Sequence, residues 1–414
     1  MPFLSQLIGK TVRDNRDRPV GKLRDLVVPS GVLYPSVKAL VLSHPHRQTV
    51  IVPAEQVGTL EPHQVRLTCA KDEVVPAIIS DTDLQLSRDV LDKQIVDTEG
   101  VKVVRVNDLL LTRVNGGYRL VGVDNTAGGL LRRLGLGNLP FIRTLPGEGA
   151  LIKWEDVDLV PSNMPLVKLR GAYRNLARLH PADIAEIVNQ LATADGVAAM
   201  EALADETAAK AMAEVEEERQ VTILGQMDSE RAADILEEMA PDDAADLLAD
   251  IPKEKSEELI QLMEPEAAED VQELLAYPTD SAGGLMSTDF ISTLITSTAE
   301  EIVEMMRRLA PDVETAYYIY VTDEGGRLLG VISLRDLVIA QPRQRAAEFM
   351  HSEVIWVNVN DRQHEVVEVL TKYNLLAVPV VDDGGCIRGI ITAHDVIDVA
   401  LPRAWHPRAT KMAE

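Results

Sequence analysis

The sequence predicts a multidomain chain: an all-β region of tandem small β-barrels, then an α-helical superhelix of short hairpins, then a duplicated α/β region. Three observations predict this order. Short β-branched runs bounded by turn residues fill residues 1–165, apolar residues recur every three or four positions over 171–277, and strands alternate with helices over 285–400. A length of 414 residues is sufficient for two to four domains.

The composition narrows the class of partner. A formal net charge of −25 argues against nucleic acid and anionic membrane surfaces, and it favours cations or a basic protein face. Residues 1–20 lack an apolar signal core and no 18 apolar residues run together, so we expect a cytoplasmic protein without direct membrane insertion. Cys69 and Cys386 show no ligand spacing and are expected to be reduced, buried thiols.

A repeated pattern organises the β region. Residues 7–12 (LIGKTV) and 91–96 (LDKQIV) each lead through an Asp and a Gly to a second apolar strand, so the pattern starts once at Leu7 and again at Leu91. The repeat predicts two small barrels, over 1–80 and 85–165. Both opening hairpins resemble those of PRC-barrel domains. This resemblance implies protein-docking modules without a particular chemistry.

Prolines punctuate the helical region, 171–277. Pro241, Pro252 and Pro265 follow one another at similar intervals, and each is followed by a charged residue and an apolar stripe. Proline at the first helical position with acids in the first turn marks a helix start. The pattern predicts a stack of short helices with one face free to dock. Acid-rich runs such as 214–218 are more often solvated faces than sites.

Two similar segments recur in the α/β region, 330–336 (GVISLRD) and 389–395 (GIITAHD). Each is an apolar strand that ends in Ser or Thr, with Asp three positions later. A hydroxyl and a carboxylate at that spacing start a helix, and they can also meet a ribose or a phosphate. We expect two units of helix, strand, turn, strand and helix, packed as a pseudo-twofold pair. The predicted elements are 299–309, 316–321, 323–326, 328–332 and 334–339, then 363–373, 378–381, 382–385, 387–391 and 393–399.

The paired units, 285–342 and 346–402, resemble CBS domains, which bind adenine nucleotides between their repeats. Residues 276–289 (AYPTDSAGGLMSTD) resemble the junction of MgtE-type magnesium channels, between the helical N domain and the CBS pair. The motifs LHPADI from Leu179, PDDAAD from Pro241 and YYIYVTDEGGRL from Tyr317 fit the same family. In that family the channel continues into membrane helices, whereas this sequence ends after residues 401–414. We therefore expect the cytosolic magnesium-sensing half of such a channel, without its pore and with a double barrel in front.

The resemblance implies a Mg²⁺ site between the N domain and the CBS pair. Asp242 and Asp246 stand at the N-domain ligand positions, and their i, i+4 spacing puts both carboxylates on one helix face. Gly284 stands where the junction offers a backbone carbonyl, and Asp395 and Asp398 stand at the ligand positions after the second CBS signature. Four further positions where the family carries acids differ in this sequence: Lys210, Arg362, His364 and Asn374. We therefore expect fewer metal sites than in the family.

Physical chemistry favours a cation at such a cluster. Two carboxylates about 6 Å apart repel by roughly 3 kcal/mol at an effective dielectric constant near 20. Mg²⁺ needs only one or two direct carboxylates plus ordered water, and Mn²⁺ or Ca²⁺ also prefer oxygen ligands. A ligand that binds only the closed arrangement of two domains shifts the population toward it. The alternative for the same acids is a role as helix caps and solvated faces.

The resemblance also implies ATP or another adenine nucleotide as a ligand. The residues that match the family's nucleotide contacts are Tyr318, Ser333, Arg335 and Asp336 in the first unit and Thr392 in the second. Leu375, however, stands where the channel family has an aromatic residue that stacks on adenine. The alternative for both signatures is simply to cap helices.

The leading hypothesis is a Mg²⁺ and nucleotide sensor that regulates a separately encoded membrane transporter or channel. By resemblance we expect a homodimer through the CBS pair, with peripheral attachment to the inner membrane through its partner. The alternative is a soluble adenylate-sensing CBS adaptor with no transport role. No catalytic set can be placed, so no enzyme is expected, unless the barrels hold a polar cleft. We expect His44, His46 and His63 to lie in surface loops rather than hold a metal.

Overall fold

A computed structural model describes residues 1–43, 49–114, 116–133, 151–160, 173, 175–309 and 317–400, with the side chains of 127 and 398–400 excepted. Within these residues the chain forms two compact units, Met1–Arg219 and Gln220–Glu414. The predictions for His44, His46, the Asp398 side chain and residues 401–414 lie outside the described residues.

The first unit begins with the predicted β-rich region. Its longest sheet has the strand order β4-β3-β2-β1-β6-β5, with β7 paired to β2, and two three-stranded sheets follow, β10-β11-β12 and β13-β8-β9. The strands are β1 Thr11–Arg13, β2 Pro19–Pro29, β3 Ala39–Ser43, β4 Thr49–Pro53, β5 Val57–Glu61, β6 Gln64–Leu67, β7 Asp83–Gln85, β8 Gln94–Asp97, β9 Lys102–Arg105, β10 Asp108–Val114, β11 Gly117–Asp124, β12 Leu151–Lys153 and β13 Val157–Leu159. Two short helices, α1 Leu4–Leu7 and α2 Ala127–Arg133, complete the region.

The opening helical turn of each β repeat is bound by the other repeat. Asp108, in the second repeat, accepts hydrogen bonds from the Ser5 hydroxyl (2.6 Å) and the Ser5 backbone N–H (3.1 Å) of α1. Asp25, in the first repeat, accepts one from the backbone N–H of Ser87 (2.7 Å), in the turn Leu86–Val90 of the second. Asp25 and Asp108 therefore occupy equivalent places, and the structural alignment of the repeats is shifted by one position from the predicted one.

A single hydrophobic core joins these repeats. It runs from Leu4 to Val157 and takes buried side chains from both halves, among them Leu40 and Leu120. The Tyr118 hydroxyl of the second repeat accepts a hydrogen bond from the backbone N–H of Leu60 in the first (3.2 Å). The repeats therefore share one hydrophobic core, and their division into two barrels, 1–80 and 85–165, stays a prediction.

Helices fill the middle of the chain, as predicted: α3 Pro181–Gln190, α4 Thr193–Glu201, α5 Asp205–Ala213, α6 Glu217–Gln226, α7 Ser229–Glu237, α8 Pro241–Asp250, α9 Lys253–Leu262 and α10 Pro265–Leu275. In the first unit α3 packs on its second neighbour α5, and in the second unit α7 packs on α9 and α8 on α10. Pro241 and Pro265 occupy the first helical position, whereas Pro252 lies one residue earlier, at the N-cap of α9.

Two α/β sheets end the second unit, in the orders β14-β15-β16 and β17-β18-β19. The strands are β14 Ile291–Leu294, β15 Tyr318–Thr322, β16 Leu328–Ser333, β17 Val357–Asn358, β18 Ala377–Val381 and β19 Ile387–Thr392. The helices are α11 Ala282–Leu285, α12 Ala299–Leu309, α13 Leu334–Ile339, α14 Ala346–Phe349, α15 Gln363–Tyr373 and α16 Ala393–Ala400. Three helices, α12, α13 and α15, have the predicted bounds, and the predicted strands differ by one or two residues at their ends.

The tips of the two hairpins meet across the pseudo-twofold axis. The backbone N–H of Leu328 donates to the carbonyl of Gly385 (3.0 Å), and that of Ile387 donates to the carbonyl of Gly326 (3.1 Å). Both glycines have positive φ, 77° at Gly326 and 79° at Gly385, which the predicted Asp-x-Gly-Gly turns require. The reciprocal bonds confirm the expected pairing of the two units.

Candidate functional site

The first turn of α8 lies close to the linker of residues 286–290, between α11 and β14, and to the start of α16. Asp242 is the second residue of α8, and the helix is preceded by Ala240, whose side chain cannot cap it. The Ser287 hydroxyl of the linker donates a hydrogen bond to the Asp242 carboxyl group, and the Asp395 carboxylate repels it. The helical and α/β parts of the second unit thus meet at two of the predicted acids, Asp242 and Asp395.

The environment of Asp242 disfavours its charged form. The side chain is half-buried, and its Oδ1 atom is buried without a hydrogen-bond partner. Burial raises the pKa of Asp242 to about 8, repulsion from Asp243 and Asp395 adds to the shift, and the Ser287 hydrogen bond opposes it. A cation bound here would neutralise the carboxylate and satisfy its unpaired oxygen.

Asp395 is held in place by Thr392, at the end of β19. Its Oδ2 accepts the backbone N–H of Thr392 (2.7 Å), and its Oδ1 accepts the Thr392 hydroxyl (2.7 Å). Ser287 forms a two-way backbone bridge to Ile390 on the same strand, with both N···O distances 2.9 Å. These bonds fix Ser287 and the Asp395 carboxylate at β19, an edge strand of the second sheet.

The other predicted metal ligands are placed differently. Asp246 is exposed one turn further along α8. Gly284 lies in α11, where its N–H donates to the Ser281 carbonyl (3.1 Å). Within the described part of the chain, no group of three or more His, Cys, Asp or Glu side chains is arranged to hold a metal ion. The structure therefore places Asp242 and Asp395 close enough to repel each other, and the larger cluster with Asp246, Gly284 and Asp398 remains a prediction.

The positions that depart from the family's acids have local roles. Lys210 pairs with Glu206 one turn earlier on α5 (2.8 Å). Arg362 is the N-cap of α15, and its backbone N–H donates to the Glu365 carboxylate (2.9 Å). Asn374 ends the same helix in the left-handed conformation, with φ 51°, which asparagine tolerates better than most residues. These residues therefore serve helix ends and a surface ion pair.

The predicted nucleotide residues lie at the ends of the hairpin strands. Tyr318 pairs directly with Ser333 across β15 and β16. The Ser333 hydroxyl donates to Asp336 Oδ2 (2.5 Å) and accepts the Asp336 backbone N–H (3.2 Å), and Arg335 is exposed. Thr392 and Asp395 repeat this reciprocal capping in the second unit. The capping role of both signatures is confirmed, and nucleotide binding by the same residues remains a prediction.

Two residues were not predicted from the sequence: Ser287, beside Asp242, and His351, beside Asp336. His351 Nε2 lies 3.2 Å from Asp336 Oδ2, and its backbone forms a two-way bridge to Val331. A sequence signal did exist: residues 285–288 (LMST) and 349–352 (FMHS) share an apolar-Met-x-Ser/Thr pattern. Comparison of the two linkers would have found it.

In the part of the chain that the structure describes, none of the helices has both the length and the apolar character needed to cross a bilayer.

Comparison with known proteins gives matches to two family models. Residues 179–280 match the MgtE intracellular N domain, and residues 282–343 and 346–401 match the CBS domain. The magnesium transporter MgtE of Thermus thermophilus is 46% identical over 129 residues, which are 31% of this chain and 29% of that protein. The MgtE proteins of Enterococcus faecalis (39% over 129 residues, 31% of this chain and 28% of that one) and Bacillus subtilis (34% over 134 residues, 32% and 30%) are also similar. The matched region thus spans less than a third of the length of these relatives.

Two solved structures are similar to the same region. The cytosolic domain of the Mg²⁺ channel MgtE in complex with ATP has a TM-score of 0.53 and 38% identity, over 55% of this chain and 95% of that one. The soluble part of a magnesium transporter has a TM-score of 0.52 and 33% identity, over 55% of this chain and 90% of that one. The helical region followed by the paired α/β units is therefore a shared architecture.

Proposed function

Between residues 179 and 401 the chain belongs to the MgtE family, as an intracellular N domain followed by a CBS pair, and from this premise we propose that it senses Mg²⁺ and regulates a membrane metal-ion transporter or channel. The observation that carries the proposal is the buried Oδ1 of Asp242, which has no hydrogen-bond partner, on a carboxyl group that Asp395 of the second CBS unit repels.

The proposed sensor works through the balance of charge at this contact. Without a cation, Asp242 must either hold a proton or repel Asp395, and either state weakens the contact between helical domain and CBS pair. Bound Mg²⁺ would supply positive charge between the two carboxylates. Ser287 orients Asp242, and Thr392 orients Asp395, so the two acids need little rearrangement. Closure of the contact is the signal that we propose a transporter reads.

Calorimetric titration with MgCl₂ tests the proposal. We expect Mg²⁺ binding by the wild-type protein and its loss in Asp242→Asn and in Asp395→Asn. Asp250→Asn, an exposed acid in the last turn of the same helix, is the matched control and should bind as wild type does. Equal binding by all four proteins would place the metal elsewhere. Titrations with MnCl₂ and CaCl₂ rank the three ions.

Adenine nucleotide is the second proposed ligand, at Tyr318, Ser333, Arg335, Asp336 and Thr392. Support comes from the similar cytosolic domain that was solved with ATP. If the chain were instead an adenylate-sensing adaptor with no link to transport, ATP would bind with the same affinity with and without Mg²⁺. Asp242→Asn would then have no effect on any ligand. Coupling between the two ligands in the same titrations favours the transport sensor.

The proposed partners are a second copy of the chain and a separately encoded transporter. The exposed apolar side chains of Val338 (85% exposed) and Ile339 (70%) on α13 suit the homodimer contact through the CBS pair. The β region, through its PRC-barrel-like repeats, is proposed to dock the transporter from the cytoplasmic side. Copurification of a transporter with the native protein tests this, and recovery without any membrane protein at both low and high Mg²⁺ would contradict it. We propose no catalytic role.

A further inference from the structure

The two linkers of the CBS pair occupy equivalent places. The linker between α11 and β14 in the first unit bridges Ile390 of the second through Ser287, and the linker between α14 and β17 in the second unit bridges Val331 of the first through His351. A methionine precedes each linker residue and covers a strand glycine: a Cβ at Gly330 would lie 2.5 Å from Met350 Sδ, and one at Gly389 would lie 2.9 Å from Met286 Cγ. His351 is therefore the pseudo-twofold counterpart of Ser287.

The carboxylates of Asp395 and Asp336, one after each hairpin, accept their hydrogen bonds in different ways. At Asp395 each oxygen accepts one bond from Thr392, at 2.7 Å. At Asp336 both bonds from Ser333, from its backbone N–H (3.2 Å) and its hydroxyl (2.5 Å), fall on Oδ2. The His351 Nε2 atom lies 3.2 Å from that same oxygen. Because one carboxylate oxygen offers about two lone-pair sites, Oδ2 of Asp336 is already crowded.

We propose that His351 is a further residue of the nucleotide site, one that occupies Asp336 in the ligand-free protein and leaves when ribose binds. The ribose 2′- and 3′-hydroxyls are adjacent donors that need both oxygens of a carboxylate. The Ser333 bonds are local and start α13, whereas the His351 side chain is 64% exposed and free to turn away. His351 thus competes with ribose for Asp336. This role rests on the proposed nucleotide binding and adds a residue that sets its affinity.

Titration of ATP into the full-length protein tests the competition. An exposed ion or hydrogen-bond pair of this kind contributes about 0.2–1 kcal/mol, so His351→Ala should bind ATP up to about fivefold tighter than wild type. His351→Ser, which copies the residue at the equivalent linker position, should do the same. The matched control is His364→Ala, an exposed histidine on α15, which should not change the affinity. With 2′,3′-dideoxy-ATP the gain should disappear, because that nucleotide lacks both hydroxyls.

The outcomes separate this role from the proposed function. Wild type that binds ATP while both His351 variants bind equally or more weakly would overturn the role of His351 and leave nucleotide binding intact. ATP binding that survives Asp336→Asn unchanged would place the ribose elsewhere and also overturn it. Absence of ATP binding in wild type and in both His351 variants would overturn both. The imidazole NMR signals of His351 should move in Asp336→Asn without nucleotide, and unmoved signals would contradict the contact itself.

Discussion

Replacement of Asp242 by asparagine should stabilise the second unit when no divalent cation is present. Asparagine keeps the shape of the side chain and removes its charge. The pKa of Asp242 is raised from 3.8 to about 8, so between these values the native state keeps a proton that the unfolded chain releases. Asp242 therefore lowers the free energy of unfolding by about 1.4 kcal/mol per pH unit over this interval, or about 4 kcal/mol at pH 7.

Solvent screening reduces the stability that Asp242→Asn can add. Asp242 is half-buried, and part of its cost is screened, so we expect Asp242→Asn to raise the free energy of unfolding by about 1–3 kcal/mol at pH 7 in EDTA. With saturating Mg²⁺ the wild type should become the more stable of the two proteins. A ligand at 100 times its Kd stabilises the native state by about 2.7 kcal/mol, and only the wild type should gain this.

Urea-dependent amide hydrogen exchange over α8 and α16 measures the effect within the second unit. Asp250→Asn serves as the control, because its exposed carboxylate lies at the other end of α8 and should change stability by only a few tenths of a kcal/mol. An Asp242→Asn protein less stable than wild type in EDTA would refute the electrostatic reasoning. So would an asparagine variant that retains the full stabilisation by Mg²⁺.

Four further outcomes are expected. In EDTA the unfolding free energy of the second unit should fall as pH rises from about 4 to about 8, since Asp242 is protonated more readily in the native state, and saturating Mg²⁺ should flatten this slope. Gly389→Ala would bring a Cβ within 2.5 Å of the Ser287 carbonyl, so it should destabilise the second unit by about 1–3 kcal/mol and weaken Mg²⁺ binding in calorimetry. Val338→Glu should prevent formation of the proposed homodimer, measured by light scattering. Asp108→Ala removes a buried carboxylate that holds α1 and should lower the urea midpoint of the β region, at a cost of about 2–3 kcal/mol.

Three of these predictions have a matched control variant. Gly225→Ala, at a glycine with no atom within 4 Å of the added methyl group, should leave Mg²⁺ binding unchanged. Leu262→Glu introduces the same charge at an exposed site on α9 and should have the same mass as wild type in light scattering. Asp81→Ala removes an exposed carboxylate from the β region and should have little effect on stability. Equal behaviour of a test variant and its control would count against the corresponding contact.

The elements of the α/β pair could be predicted well because their signals are local. Periodicity sets the bounds of α12 and α15, and the Asp-x-Gly-Gly turns fix the hairpins through side-chain bonds such as Asp323 Oδ1 to the backbone N–H of Gly325 (2.9 Å). Even so, the short strand β17 Val357–Asn358 was missed, since two residues carry no period. Boundaries shifted where a cap residue such as Pro252 competes for the first helical position.

Contacts between distant segments were harder to predict. Nothing local at Asp108 marks it as a hydrogen-bond partner of α1, because Ser5 lies in the other repeat. The candidate site was predicted by resemblance as far as Asp242 and Asp395, and the structure places these two acids together. The resemblance also placed Asp246 in this site. It lies exposed one turn further along α8, and its role as a metal ligand stays a prediction.

The exchange of opening turns between the two β repeats changes what counts as a folding unit. Each repeat is closed by a segment of the other, so neither sequence contains a complete fold. The chain between β6 and β7 keeps the two partners at a high effective concentration and makes their association intramolecular. The β region therefore has the organisation of a dimer whose subunits have been joined end to end. A break in the chain between residues 79 and 83 would turn its folding into a bimolecular reaction between two fragments.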